Sequence, residues 1–111
     1  MEHLPPRLQE AVRKLEAGLR DLYGERFRGL LLYGSYARGD FRDGSDVDLL
    51  LLLNGPVSPS REIFHMSDVT WPVSLEYDTV FSVMAMSTEV FEQQDSLFLH
   101  NIQPDLIPVS T

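Results

Sequence analysis

The chain has 111 residues, which fits one domain over 1–111, and its hydrophobic fraction of 43% is ordinary for a soluble globular protein. It contains no cysteine, which excludes a disulfide framework and is compatible with the cytoplasm, where we expect the protein. Nine basic residues stand among seventeen acidic ones, for a net charge of -8. That balance argues against direct nucleic-acid binding and favours a basic protein partner, and no apolar run is long enough to cross a membrane.

The first half of the chain alternates helical and extended patterns. The predicted elements are a helix over 5–23 ended by Gly24, a strand over 29–33, a short helix or turn over 35–42, a turn at 43–45 and a strand over 46–53. The last of these is apolar on both faces. A strand of that kind is usually central in its sheet and covered on both sides.

The second half continues in the same manner. The predicted elements are a helix from 59 to about 69, a break or kink at Pro72 with helix resuming to Tyr77, a strand over 80–86, a helix over 88–93 capped by Ser87, a helix over 96–102 capped by Asp95 and an edge strand over 106–109. This order predicts an α/β or α+β fold with one small mixed sheet flanked by helices.

Two carboxylates open the second strand. Asp46 and Asp48 are two residues apart, so their side chains should emerge on one face, roughly 6–7 Å apart at the backbone. Like charges side by side on an apolar strand repel each other, and a bound cation explains why they are tolerated. A solvated strand end is the alternative, but we favour metal binding by this pair.

A short polar segment follows the first strand. Gly34 lets a backbone approach a phosphate closely, the Ser35 hydroxyl can donate to a phosphate oxygen, and Arg38 can grip one in a forked manner. An ordinary strand-to-helix turn with a surface arginine is the alternative. Together with the carboxylates, these residues predict a loop that holds a triphosphate against metal ions, which is the layout that phosphoryl-type transfer needs.

These residues carry a family resemblance. Gly34-Ser35, ten intervening residues and then Asp46-Val47-Asp48 resemble the signature of the DNA polymerase β-like nucleotidyltransferase superfamily, whose fold is a polymerase β-like palm. The stretch GSYARGDFRDGSDVDLLL resembles the minimal nucleotidyltransferases, antitoxin-type proteins often paired with HEPN-domain toxins. The tail SLFLHNIQPDLIPV is similar to the usual ending of that family.

The resemblance implies a substrate, a cofactor and a partner. The substrate would be ATP, held with two Mg²⁺ ions, and AMP would pass to a hydroxyl, plausibly a tyrosine, of a HEPN toxin. Asp46 and Asp48 would ligate the metals, while Gly34, Ser35 and Arg38 would bind the nucleotide. Self-association of the chain stays open.

The resemblance also shows a departure. Members of the superfamily carry a third carboxylate on the next core strand, where this chain places Ser82. Asp78 would be the third catalytic acid if that strand began earlier than expected, and Glu76 is a weaker candidate. The alternative is a catalytically weak or inactive antitoxin, or a nucleotide-binding module, that neutralises its partner by contact alone.

Overall fold

The computed structural model describes residues 1–109 of the chain. Its elements in chain order are α1 (Pro6–Tyr23), a 3-10 turn (Gly24–Arg26), β1 (Phe27–Tyr33), α2 (Gly34–Arg38), β2 (Val47–Leu53), α3 (Pro59–Tyr77), β3 (Phe81–Ser87), α4 (Thr88–Gln93), α5 (Leu97–Ile102), a second 3-10 turn (Gln103–Asp105) and β4 (Ile107–Pro108). No helix within these residues is long and apolar enough to cross a bilayer.

The four strands form one mixed sheet in the order β3-β2-β1-β4. β1 and β2 are antiparallel, β2 and β3 are parallel, and the short β4 lies antiparallel to β1 at the edge. α3 connects the two parallel strands, as parallel pairing requires a crossover. The sheet confirms the predicted α/β class, the central position of the leucine-rich strand and the terminal edge strand.

The main core lies between one face of the sheet and the pair α1 and α3. β2 points Val47, Leu49, Leu51 and Leu53 into it, and all four are fully buried. Burial of each such side chain stabilises the fold by about 1.5–3 kcal/mol. α1 contributes a buried stripe at helical spacing, and Gly24 ends it by donating its N–H to the Arg20 carbonyl, as expected.

The opposite face of the sheet has a thinner cover. Leu50 and Leu99 of α5 are fully buried there, and Phe98 packs edge-on against Tyr33 with 5.7 Å between ring centroids. Asp48 also belongs to this face, because side chains alternate along β2. The two faces of β2 therefore differ: one contributes only buried core side chains, and the other contributes the buried Leu50 and the charged Asp48.

Two local predictions are wrong. Pro72 does not break α3, which runs unbroken from Pro59 to Tyr77. A proline inside a helix removes one backbone hydrogen bond, but its fixed φ is compatible with helical geometry. The buried side chains of Met66, Val73 and Tyr77 pack the flanking turns against the core. The cap of α5 is Ser96 rather than Asp95: the Ser96 Oγ accepts the Leu99 N–H at 3.1 Å.

Candidate functional site

Gly34 places the Gly34-Ser35 segment in direct contact with the carboxylate of Asp48. It follows β1 directly and has a left-handed φ of +76°, a conformation that glycine adopts without steric cost. A Cβ built on Gly34 would overlap the Asp48 carboxylate and would lie 3.2 Å from its Cγ and 3.3 Å from its Cβ. The backbone of the Gly-Ser segment therefore touches Asp48, and only glycine permits that approach.

The two carboxylates lie at the start of β2, as the spacing predicted. Asp46 is exposed and immediately precedes the strand, while Asp48 is half-buried within it. Burial raises the pKa of the Asp48 carboxyl, the negative charge of Asp46 raises it further, and Arg38 lowers it. Both neighbouring charges therefore act on Asp48, and the repulsion expected between the two carboxylates is present.

The loop that delivers Asp46 is ordered by its own contacts. α2 ends at Gly39, which has a left-handed φ, and the rings of Tyr36 and Phe41 stack at 4.4 Å between centroids. The Arg42 N–H donates to the Ser45 Oγ at 2.9 Å, and the Ser45 N–H donates to the Arg42 carbonyl at 3.0 Å. This reciprocal turn confirms the turn predicted at 43–45 and fixes the entry of the chain into β2.

Arg38 is held in place by two carboxylates. Its Nε donates to Asp40 Oδ2 at 3.2 Å and its NH1 group donates to Asp105 Oδ2 at 3.1 Å. The guanidinium remains about half exposed, so it still has surface available for a ligand. Because it also lowers the pKa of Asp48, its positive charge acts at the carboxylate site.

Three strands align a single row of side chains at this end of the sheet. Tyr33 of β1 lies opposite Asp48 of β2, and Ser82 of β3 is the register partner of Asp48 on the other side. Burial, and then the charge of Asp48, raise the pKa of Tyr33. A hydroxyl thus stands beside Asp48 at the position where the resemblance called for a third carboxylate.

The two residues proposed as substitutes for that carboxylate lie outside β3. β3 begins at Phe81, so Asp78 is not on the strand: it is the exposed C-cap of α3, with its N–H bonded to the Ser74 carbonyl. Glu76 forms an ion pair with Lys14 of α1 at 2.6 Å. Within residues 1–109, no three or more acidic or histidine side chains come together closely enough to hold a metal.

Sequence reasoning missed two residues of this region. Asp105, the partner of Arg38, is 67 positions away along the chain, and no local pattern connects them. The sequence pattern marks Tyr33 only as the end of a strand, although its place opposite Asp48 follows once the antiparallel pairing is known. Both omissions are long-range pairings, which spacing along the sequence does not reveal.

Comparison with known proteins identifies the relatives of the chain. A profile of the nucleotidyltransferase domain matches residues 12–107. Two proteins of Methanocaldococcus jannaschii, each named a candidate protein adenylyltransferase, are similar in sequence. MJ0604 is 28% identical over 92 residues, 83% of this chain and 86% of that protein. MJ0141 is 29% identical over 73 residues, 66% of this chain and 73% of that protein.

Solved structures share the fold at lower sequence identity. A toxin–antitoxin complex crystallised with AMP-PNP superposes with a TM-score of 0.59 at 17% identity, covering 92% of this chain and 72% of that one. A candidate nucleotidyltransferase from Sulfolobus solfataricus gives 0.57 at 15% identity, covering 95% and 86%. A mutant of the toxin–antitoxin pair MntA-HpeT gives 0.56 at 15% identity, covering 92% and 72%.

Proposed function

Because this chain belongs to the nucleotidyltransferase domain family, we propose that it transfers AMP from ATP to a hydroxyl group of a partner protein and releases pyrophosphate. The observation that carries the proposal is the contact between Gly34 and Asp48. It joins the segment suited to a triphosphate to the carboxylates suited to a cation. Neither half alone is specific, but their direct contact is the arrangement that nucleotidyl transfer uses.

The residues of the chain divide the work of the reaction. The Gly34 backbone and the Ser35 hydroxyl bind the triphosphate, and the Arg38 guanidinium offsets its charge. The acceptor oxygen attacks the α-phosphorus and forms a new P–O bond. The bond from the α-phosphorus to the bridging oxygen breaks, pyrophosphate leaves, and the hydroxyl proton passes to solvent or a nearby base. Positioning and charge neutralisation carry most of the acceleration in such chemistry.

Asp46 and Asp48 would hold Mg²⁺, as two ions in the reactive complex. Their chemistry fits: Mg²⁺ prefers oxygen ligands and is commonly bound by one or two carboxylates together with substrate phosphates. Burial, and then the charge of Asp46, raise the pKa of the Asp48 carboxyl, so a bound cation would stabilise its ionised form. When bound, the metal supplies charge stabilisation for the attacking and leaving oxygens.

We propose a protein, specifically a HEPN-domain toxin, as the acceptor. The two sequence relatives are named as candidate protein adenylyltransferases, and two structural neighbours come from toxin–antitoxin pairs. The minimal-nucleotidyltransferase pattern around Gly34 and Asp48 favours a tyrosine of such a toxin. Adenylylation would add a bulky anionic group to that tyrosine and silence the toxin.

A second candidate function rests on Ser82. A hydroxyl stands where a third carboxylate would complete the metal site, and this favours an antitoxin that binds nucleotide and inhibits by contact without turnover. In that case Asp78 plays no part in chemistry. In the enzymatic case, Asp78 or an acidic group of the partner completes the site.

The test combines the purified chain, its candidate toxin, Mg²⁺ and ATP labelled at the α-phosphate. Label should appear on the toxin, and the double variant Asp46→Asn with Asp48→Asn should reduce the rate by on the order of 10³-fold, since loss of metal binding removes several kcal/mol of transition-state stabilisation. The matched control is Asp21→Asn with Glu25→Gln, which removes the same charge from exposed positions outside the site.

Two outcomes separate the candidates. If wild type and the Asp46/Asp48 variant inhibit the toxin equally and neither transfers label, the chain is the binding module. If label is transferred and only the site variant fails to inhibit, the chain is an adenylyltransferase. Mapping the label to tyrosine, serine or threonine by mass spectrometry then identifies the acceptor hydroxyl.

A further inference from the structure

The outward face of α3 carries a row of large apolar side chains that nothing within residues 1–109 covers. Phe64, Trp71 and Leu75 are 82%, 63% and 72% exposed. Their spacings of seven and four place them on one side of the helix, opposite the side whose buried residues face the core. We propose that this face, the α3 stripe, is the interface through which two copies of the chain form an antiparallel dimer.

The size of the stripe fits a second copy. Ile63 and Val80, 58% and 61% exposed, widen it on the side of β3. Scaling these fractions by the roughly 150–250 Å² of an aromatic side chain and about 60–120 Å² of an aliphatic one gives an apolar surface on the order of 500 Å². Monomers rarely expose larger patches without a function. Two copies would bury about 1,000 Å² of apolar surface, which is about the smallest total area of a specific interface, and the polar rim adds to it.

The order of residues along α3 is suited to an antiparallel pair. Phe64 and Leu75 are equally distant from the middle of the stripe, so a two-fold axis there sets Phe64 of each copy against Leu75 of the other. The same axis brings Arg61 at one end near Glu76 at the other, beside the ion pair that Glu76 forms with Lys14 of α1. The apolar pairing of Phe64 with Leu75 is therefore the self-complementary contact that a two-fold interface requires.

A cavity beside the stripe offers a place for an anchor residue. It has a volume of about 240 Å³ and lies between Trp71 and Ser74 of α3 and the start of β3 at Val80 and Phe81. It is large enough for a phenyl ring, and in the antiparallel arrangement Phe64 of the second copy arrives at this end. Aromatic anchors that fill pockets commonly carry most of the binding energy of an interface.

Electrostatic repulsion opposes the dimer and makes its affinity depend on salt in a characteristic direction. Each copy has a net charge of -8, and the two exposed Asp68 side chains approach each other near the axis. Salt screens such repulsion over about 8–10 Å. The dimer should therefore tighten when salt is added and when Asp68 loses its charge, whereas a contact with a basic partner would weaken under both changes.

The proposed dimer leaves the nucleotide site accessible. α3 packs on the core face of the sheet, whereas Asp48 belongs to the other face. Loss of the dimer should therefore leave nucleotide binding unchanged. A monomeric protein could therefore still transfer AMP, and a dimeric one could lack that activity.

Sedimentation velocity of the full chain tests the proposal, over protein concentrations from about 2 to about 200 μM, which cover dimers of micromolar affinity. The wild type should sediment as a dimer at the upper end. Phe64→Ser should raise the dissociation constant by about 100-fold or more, because the anchor is lost twice in a two-fold interface. Asp68→Asn should lower that constant several-fold.

The matched control is Leu97→Ser, the same kind of apolar-to-serine change at a residue that is 77% exposed on α5. It should leave the dimer intact. A wild type that stays monomeric at the highest concentration overturns the proposal, and so does a dimer that Phe64→Ser leaves unchanged. A dimer that Asp68→Asn weakens also overturns it, because the antiparallel geometry places like charges there. Circular dichroism of each variant confirms folding.

Discussion

The strand that carries Asp48 has very different neighbours on its two sides. On the β1 side, Gly34 fits against the carboxylate so closely that no side chain could replace its hydrogen. On the β3 side, the register partner is Ser82, which is exposed and uncharged. The segment suited to phosphate is thus tightly built, whereas the position suited to a further metal ligand is open. The proposed nucleotide binding and the proposed turnover should therefore depend on separate parts of the site.

The largest expected effect is on the tight side. Gly34→Ala should abolish nucleotide binding and reduce any transfer by at least about 100-fold, because the new Cβ must displace the Asp48 carboxylate and the left-handed φ costs a further ~1 kcal/mol or more. Isothermal titration with ATP and Mg²⁺ measures the loss.

Gly39→Ala is the matched control for this prediction. Gly39 also has a left-handed φ, of +86°, but a Cβ there meets no atom within 4 Å. It therefore reproduces the backbone strain without the clash. Equal losses in the two variants would show that strain, rather than contact with Asp48, explains the effect, and the contrast between the two sides of β2 would disappear.

The next effect is a gain on the open side. Ser82→Asp places a carboxylate on β3 in register with Asp48 and should tighten Mg²⁺ binding and raise the transfer rate by roughly tenfold, about 1.4 kcal/mol. Ser82→Asn, similar in size but uncharged, is the control. If Ser82→Asp leaves the magnesium dependence of the rate unchanged, the third ligand comes from elsewhere, and the position beside Asp48 is not the incomplete part of the site.

A smaller effect is expected at Asp105, a positioning residue for Arg38. Asp105→Asn removes one of the two carboxylates that hold the guanidinium and should raise the KM for ATP about three- to tenfold while leaving kcat nearly unchanged, since a mobile Arg38 must be ordered by the substrate. Asp40→Asn, which removes the other, more exposed partner, should have less effect. A fall in kcat at constant KM would contradict a positioning role.

The smallest effect is on stability. Burial and Asp46 raise the pKa of Asp48 in the folded state, so its ionisation opposes folding. The stabilisation from its protonated form is fully present below the unfolded pKa of roughly 3.9 and is lost as pH rises through the folded pKa. Asp48→Asn should therefore stabilise the metal-free protein slightly at pH 7 and not at pH 3.

The size of this gain should be modest, well below the roughly 1.4 kcal/mol that one full pKa unit carries, because Asp48 is half exposed and screened by solvent. Thermal melts of wild type and variant at both pH values give the difference, and melts with Mg²⁺ should reverse its sign at pH 7. A variant that is less stable than wild type at pH 7 without metal would contradict the unfavourable charge pair.

Much of the fold followed from local pattern. β2 is apolar on both faces, and this alone predicted its central position. The helical spacing of apolar residues, together with the helix-ending Gly24, predicted the bounds of α1 to within one residue. Strand ends moved by one or two residues, because they depend on pairing with a neighbour. The break predicted at Pro72 was wrong because it also depended on tertiary packing: the packing of α3 on the core outweighs the hydrogen bond that proline removes.

The site residues that lie close together in the sequence were predictable, whereas the distant ones were not. Gly34, Ser35, Asp46 and Asp48 lie within fifteen positions, and the sequence brought them together. The place of Ser82 beside Asp48 was expected and the register confirms it. No local sequence pattern identified Asp105, because its partner Arg38 is 67 positions away and only the tertiary structure brings the two side chains together. Whether Asp78 takes part in chemistry stays a prediction.

The ion pair between Arg38 and Asp105 links the proposed nucleotide site to the end of the described chain. The Leu106 N–H donates to the Gln103 carbonyl, and the Val109 N–H donates to the Leu30 carbonyl of β1 at 2.9 Å. Coupling between two sites is reciprocal. If the ordered tail helps Arg38 to bind ATP, then bound ATP must slow hydrogen exchange at those two amides by the same free energy. Hydrogen exchange in the tail would then report nucleotide occupancy without any assay of transfer.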